Sequence, residues 1–170
     1  MGKRQRRRPI PEGLHEAQIE SLSADSRGVT HIDGKALFID GALPGESVNF
    51  QYTRCHKTYD EGIVESIIKP SADRVEPKCQ HALLCGACSM QHLSPDAQIR
   101  FKQQILIDNL SQIGKSTPEN ILPALSADSW GYRRKARLGV RDVKAKGRVL
   151  VGFREKRHRY LADLQQCEVL

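Results

Sequence analysis

At 170 residues, with 39% apolar and 28% charged side chains, the chain can hold one ordinary domain or two small ones around a modest core. Aromatics make up only 5%, so few bases could be stacked, and no apolar run approaches the length of a membrane-spanning helix. The formal charge of +7 is unevenly spread: five cations fall in the first eight residues and a net +10 lies between Arg133 and Arg159, on an otherwise acidic background. Such asymmetry is expected of a protein that meets nucleic acid along chosen surfaces.

The opening MGKRQRRRPIPEG is basic, carries Pro9, Pro11 and Gly13, and has no apolar stretch after its cations. Residues 1–13 therefore read as a disordered arm rather than a secretory signal, and the expected location is the cytoplasm. From 14 to 68 the pattern is one of short strands: HEAQIESLS, GVTHI, KALFIDG, ESVNFQYTR and EGIVESIIK. Asp33 followed by Gly34 is a strong hairpin signal, and Pro44 with Gly45 marks another turn. Five such strands are most economically closed into a small OB-like barrel, which removes their edges. This stretch holds four Lys/Arg against nine Asp/Glu, so any RNA contact would need a local patch such as Arg27, Lys35, Arg54 and Lys57.

After Pro70 comes CQHALLCGAC, a C-x5-C-x2-C pattern placing Cys79, Cys85 and Cys88 within ten residues. In a compartment that keeps thiols reduced, clustered cysteines mean metal or catalysis rather than disulfides. Cys167 in LQQCEVL is the natural fourth thiolate. Soft sulfur donors favour an iron–sulfur cluster or zinc, and a first gap of five residues is long for structural zinc. The spacing thus favours a [4Fe-4S] cluster, with zinc as the second reading and His81 or His92 as possible substitutes in a zinc site. Cys55, in the strand-like VNFQYTRCHKTYDEG, reads as a structural or incidental thiol.

SPDAQIRFKQQILIDNLSQIG is the clearest helix. Ser94 suits the N-cap, Pro95 the first helical position, Asp96 the positive dipole end and Gly114 the C-terminal stop. Ile99, Leu106, Leu110 and Ile113 share one face, and Phe101 and Ile105 point the other way, which predicts a core helix covered on two sides. Beyond it, YRRKARLGVRDV, RVLVGFREK and RYLADLQ read as antiparallel strands, the first two joined by KAKG. Alternation puts Ala136, Leu138 and Val140 on one face, and Arg133, Lys135, Arg137 and Arg141 on the other. With Arg134 these are the candidate RNA-binding residues, a basic face suited to following phosphates.

Taken in order, the barrel bearing GVTHIDGKALFIDGALPGESV, the C-x5-C-x2-C loop, WGYRRKARLGV and VGFREKRHRYLADLQQC resemble the bacterial 23S rRNA (uracil-C5)-methyltransferases, over essentially the whole chain after the arm. The resemblance implies a fold that is mainly β with one clear helix. Residues 14–68 would be a TRAM barrel, and 69–170 the cluster loop and the start of a central RNA-binding domain. It also implies a [4Fe-4S] cluster on Cys79, Cys85, Cys88 and Cys167, 23S rRNA as partner, and methyl transfer from S-adenosylmethionine to uracil C5. In that family a cysteine adds to C6 and makes C5 nucleophilic. No glycine-rich cofactor motif occurs in these residues. The expectation is therefore an N-terminal portion without the methyltransferase domain, inactive alone, with no catalytic or cofactor-binding residue. Nothing implies a protein partner or a membrane. The alternatives are a stand-alone, non-enzymatic RNA-binding metalloprotein and a zinc-stapled DNA-binding module.

Overall fold

The computed structural model describes residues 8–170. The expected arm lies outside the described residues up to position 7; from Arg8 to Gly13 the chain is exposed and without strand or helix. The fold is mainly β with one α-helix, in two compact units divided between Arg74 and Val75.

The first unit is a mixed six-stranded sheet of β1 (His15–Gln18), β2 (Ser21–Leu22), β3 (Gly28–Ile32), β4 (Lys35–Asp40), β5 (Ser47–Cys55) and β6 (Tyr59–Lys69), in the spatial order β1-β5-β6-β4-β3-β2. Five strands were expected; there are six because HEAQIESLS is split into β1 and β2. That split gives the unit its barrel-like form. The outermost strands are separated by only Ile19 and Glu20, so one segment pairs first with β5 and then with β3. Ile19 N–H donates to the Glu46 carbonyl and Glu20 N–H to that of Val29, both at 2.9 Å. The two edges are thus joined by the chain rather than by a hydrogen-bonded ladder.

Turn chemistry sets the register. Asp33 and Gly34 both adopt positive φ (51° and 73°), the type I′ geometry whose twist matches a two-residue hairpin, and Ile32 faces Lys35 across it. At Pro44 and Gly45 the chain turns with Gly45 at φ 79° and Glu46 N–H bonded to the Leu43 carbonyl. Alternation then directs Ala17, Leu37, Ile39, Val48 and Phe50 inward, with Ile19 and Ala42 filling the same core. β4 and β6 run parallel, a pairing that strand alternation could not reveal. Where β6 crosses the core, a Cβ on Gly62 would sit 2.8 Å from the Phe50 ring, so only glycine fits that crossing without a shift.

One charge is buried here. The Glu46 side chain is fully enclosed, and its carboxylate accepts from Leu43 N–H (2.8 Å), Ser71 N–H (3.0 Å) and Arg74 Nε and Nη2 (2.5 and 2.7 Å). Arg74 Nη2 also donates to the Gly41 carbonyl at 2.7 Å. Glu46 thereby ties the end of the chain segment after β6 to the turn before β5.

The second unit holds the cysteine loop, α1 (Pro95–Gln112), the hairpin of β7 (Gly139–Val143) and β8 (Arg148–Gly152), and much irregular chain. The helix starts as expected: the Ser94 side chain accepts from Ala97 N–H and Pro95 occupies the first turn. Its end differs. Lys115, not Gly114, takes the left-handed conformation (φ 49°), while Gly114 is needed because a Cβ there would meet the Leu110 carbonyl at 2.8 Å. The expected two-sided burial is not found. Ala97 is the buried residue of the helix, and Leu106, Leu110 and Ile113 are 59%, 36% and 80% exposed. Lys102, Gln103, Gln104 and Asp108 break the apolar residues into two narrow stripes, neither wide enough to seat the helix.

KAKG is the expected turn, a short 3-10 segment (Lys144–Lys146) closed by Gly147 at φ 62°. The strand expected over YRRKARLGVRDV begins only at Gly139, and RYLADLQ forms no strand beyond a single bridge from Leu161 to Arg154. The faces are also reversed: Val140 lies opposite Val151, and both are exposed, whereas Arg141 lies opposite buried Leu150. The reason is tertiary. Leu161, Ala162 and Leu164 cover the face that carries Gly139 and Gly152: a Cβ on Gly139 would meet Leu161 at 2.6 Å, and one on Gly152 the Ala162 carbonyl at 2.5 Å and Leu164 at 3.2 Å.

Candidate metal centre and nucleic-acid interface

Between Cys79 and Cys88 the backbone winds through successive turns. Ala82 N–H bonds to the Cys79 carbonyl at 3.0 Å, and Leu84 and Cys85 N–H both bond to that of His81, at 3.1 and 2.8 Å. Gln91 closes the loop from the far side, its side-chain oxygen accepting from Cys79 N–H at 3.2 Å. These turns direct Cys79, Cys85 and Cys88 towards one pocket, lined on its other side by Cys167 together with Leu164 and Val169.

The segment carrying Cys167 is fastened from two directions. His81 Nε2 accepts from Gln165 N–H at 3.2 Å, which makes His81 a tether and not a pocket-lining group. Gly131 and Arg133 N–H donate to the carbonyls of Glu168 and Val169 at 3.0 and 2.9 Å, and Lys78 pairs with Glu168 at 3.2 Å. Thus the four predicted cysteines line one pocket, although nearly eighty residues separate Cys88 from Cys167. His92 lies outside the pocket lining.

All four are free thiols, and the pocket around them is small and largely apolar. Burial pushes the Cys85 thiol above its ordinary value; a hydrogen bond from the Ala87 backbone opposes this, and proximity to Cys88, Cys167 and Cys79 adds to it. Among the described residues no group of three or more His, Cys, Asp or Glu is placed to hold a metal ion. The four cysteines line a shared pocket. Soft thiol donors in an apolar pocket suit a soft metal centre, zinc or iron–sulfur. Cys55 belongs to the first unit, at the end of β5, with its thiol pushed up by burial and by Asp60.

The basic candidates are scattered by comparison. Arg133 is half-buried, its backbone occupied by the C-terminal segment, while Arg134, Lys135 and Arg137 lie exposed on irregular chain ahead of β7 and Arg141 on the hairpin. They do not share one strand face. On the barrel, Arg27 is held by Asp25 and Glu61, Lys35 by Asp60, and Arg54 by Glu61, so carboxylates blunt the patch expected there. The structure also sets a basic turn at 154–160 directly against the cysteine loop; in the sequence it is only part of the basic stretch from Arg133 to Arg159.

No protein-family model matches the chain. Curated relatives do. The protein named 23S rRNA (uracil(1939)-C(5))-methyltransferase RlmD in Francisella tularensis subsp. novicida is 51% identical over the whole chain, which covers 38% of that relative. The RlmD proteins of Alcanivorax borkumensis and Legionella pneumophila are 50% and 52% identical over 97% and 91% of the chain, covering 37% and 35% of their own lengths. The chain therefore spans less than two fifths of the relatives it matches. With its mainly β fold, single helix and gathered cysteines, it belongs with the N-terminal portion of the RlmD family.

Proposed function

We propose that the chain is the RNA-recognition and [4Fe-4S] portion of an S-adenosylmethionine-dependent methyltransferase that acts on uracil C5 in 23S rRNA. The observation that carries this is the gathering of Cys79, Cys85, Cys88 and Cys167 around one pocket. Four thiolates could also hold a single tetrahedral zinc, but a first gap of five residues is long for a structural zinc site. A four-iron cluster takes one thiolate at each iron, and this set supplies four. When bound, the cluster supplies a rigid four-point cross-link. The protein's own residues do the rest: His81 and Lys78 hold the last segment in place, Gln91 sets the loop, and Leu164 and Val169 keep the thiolates dry.

In this reading residues 14–68 are the TRAM barrel, and 69–170 carry the cluster and the start of the central RNA-binding domain. The relatives' printed names supply the substrate class, 23S rRNA. Among the described residues no helix is long and apolar enough to cross a membrane, which fits work on ribosomal RNA in the cytoplasm. We assign neither the attacking cysteine nor the S-adenosylmethionine site to these residues.

Anaerobic purification followed by iron and acid-labile sulfide analysis tests the reading. Four irons and four sulfides per chain are expected, as one cluster requires, and Cys167→Ser should lose them. Zinc without sulfide would replace the cluster by a mononuclear site. Unchanged iron in Cys167→Ser would remove the long-range cross-link.

A further inference from the structure

The segment REKRHRY at 154–160 carries four cations, a histidine and a tyrosine against one acid. It is a built turn. Glu155 N–H bonds to the Tyr160 carbonyl at 3.0 Å, Arg154 bridges to Leu161, and Ala162 N–H closes the base on the Phe153 carbonyl at 2.8 Å. The turn is also mounted on the cysteine loop. Gly86 N–H donates to the Arg154 carbonyl at 2.8 Å and Lys156 N–H to that of Leu84 at 2.9 Å, bracketing an antiparallel bridge between Cys85 and Glu155. The approach depends on Gly86: a Cβ there would lie 2.9 Å from the Arg154 carbonyl oxygen and 3.4 Å from the Glu155 backbone. Two backbone hydrogen bonds therefore run from either side of a proposed cluster ligand to the base of the basic turn.

What the turn presents suits single-stranded nucleic acid. Arg154, Arg157, His158, Arg159 and Tyr160 are all exposed. The Arg159 guanidinium lies 6.0 Å from the centre of the Tyr160 ring and the His158 ring 6.2 Å from it, tilted by 38°, so exposed ring surface stands beside positive charge. Bases stack on such a surface while cations take the phosphates. The next acid along the chain, Asp163, is already held by Lys146 and Arg148 at 2.8 and 2.6 Å, so it does not oppose the turn's field.

Building on the function proposed above, we infer that the 154–160 turn is an RNA-contacting element, with Tyr160 stacking a base and Arg157 and Arg159 taking phosphates. The cysteine centre is its mount. Loss of the centre then weakens RNA binding although no cysteine touches RNA.

The test is titration of the full chain, at several salt concentrations, with a 23S rRNA fragment spanning the uracil 1939 of the relatives' name, alongside iron content. Tyr160→Ala should lose about fivefold or more in affinity at every salt concentration. Arg157→Ala/Arg159→Ala should lower the salt slope by about 1.4, two single-strand phosphate contacts. Both should keep the parent's iron. Gly86→Ala, which retains every cysteine, should push the turn off its mount and weaken binding as well. Parent-like affinity and slope in the Tyr160 and double-arginine variants overturn the RNA-contacting role. If those two weaken binding while Gly86→Ala and Cys85→Ser bind like the parent, the mounting role is overturned. A parent that binds no rRNA fragment brings down the proposed function itself, and this inference with it.

Discussion

Replacing Arg74 with alanine removes the cation that, among the described residues, is paired with Glu46, a carboxylate that is fully buried. The guanidinium supplies two of the four hydrogen bonds to that carboxylate; Leu43 and Ser71 N–H remain. Stranding one member of a buried pair costs about 3–5 kcal/mol. Arg74 is itself 22% exposed, so water can partly fill its place and the lower end, about 3 kcal/mol, is expected. Because the chain has two units, a global melt is a poor readout, and amide exchange in the barrel core, at Leu37, Ile39 and Phe50, isolates the effect. A loss of about 3 kcal/mol corresponds to about 150-fold faster exchange.

The pH dependence gives a second, independent sign. Burial pushes the Glu46 carboxyl up, but the bonds from Arg74, Ser71 and Leu43 outweigh it and hold the group below its ordinary 4.5. In the parent, Glu46 therefore contributes stability above 4.5 that fades as pH falls through its lower folded value. In Arg74→Ala, burial is opposed by two backbone bonds only and the folded pKa moves up. The variant's deficit should then be largest near neutrality and shrink as pH is lowered towards 4.5 and below. Exchange within threefold of the parent at neutral pH, or a deficit that grows on acidification, would refute the account.

Gly62→Ala should destabilise the barrel by about 1–3 kcal/mol, since its Cβ would meet the Phe50 ring at 2.8 Å; denaturant titration followed by barrel amide signals would show it. Ser94→Ala should fray the first turn of α1 at a cost of about 1 kcal/mol, visible as faster exchange over 97–99. Lys135→Ala/Arg137→Ala should lower the salt slope of RNA binding by about 1.4 if both exposed side chains contact phosphates, and an unchanged slope would make them solvated surface. Residues 1–170 alone should transfer no methyl group from S-adenosylmethionine to rRNA in a radiolabel assay, and any transfer would show that an active site lies within them.

The features legible in the residues were those with local physical causes. Asp33 and Gly34 form a type I′ turn because both tolerate positive φ, and Ser94 with Pro95 starts the helix because one caps a free N–H and the other lacks one. The four thiols could be named as a set from donor chemistry. Tertiary contacts decided the rest. Strand alternation identifies two faces of β7 but not which is covered, and the packing of Leu161, Ala162 and Leu164 over Gly139 and Gly152 leaves Val140 outside. The backbone at Arg133 could have joined a strand, yet its N–H is taken by the Val169 carbonyl. Helical spacing placed apolar residues on α1 without revealing that Leu106, Leu110 and Ile113 would stay exposed. Cys167 lines the same pocket as the other three cysteines because His81, Lys78 and the 131–133 backbone hold the segment around it, and these contacts span distances along the chain that no local pattern encodes.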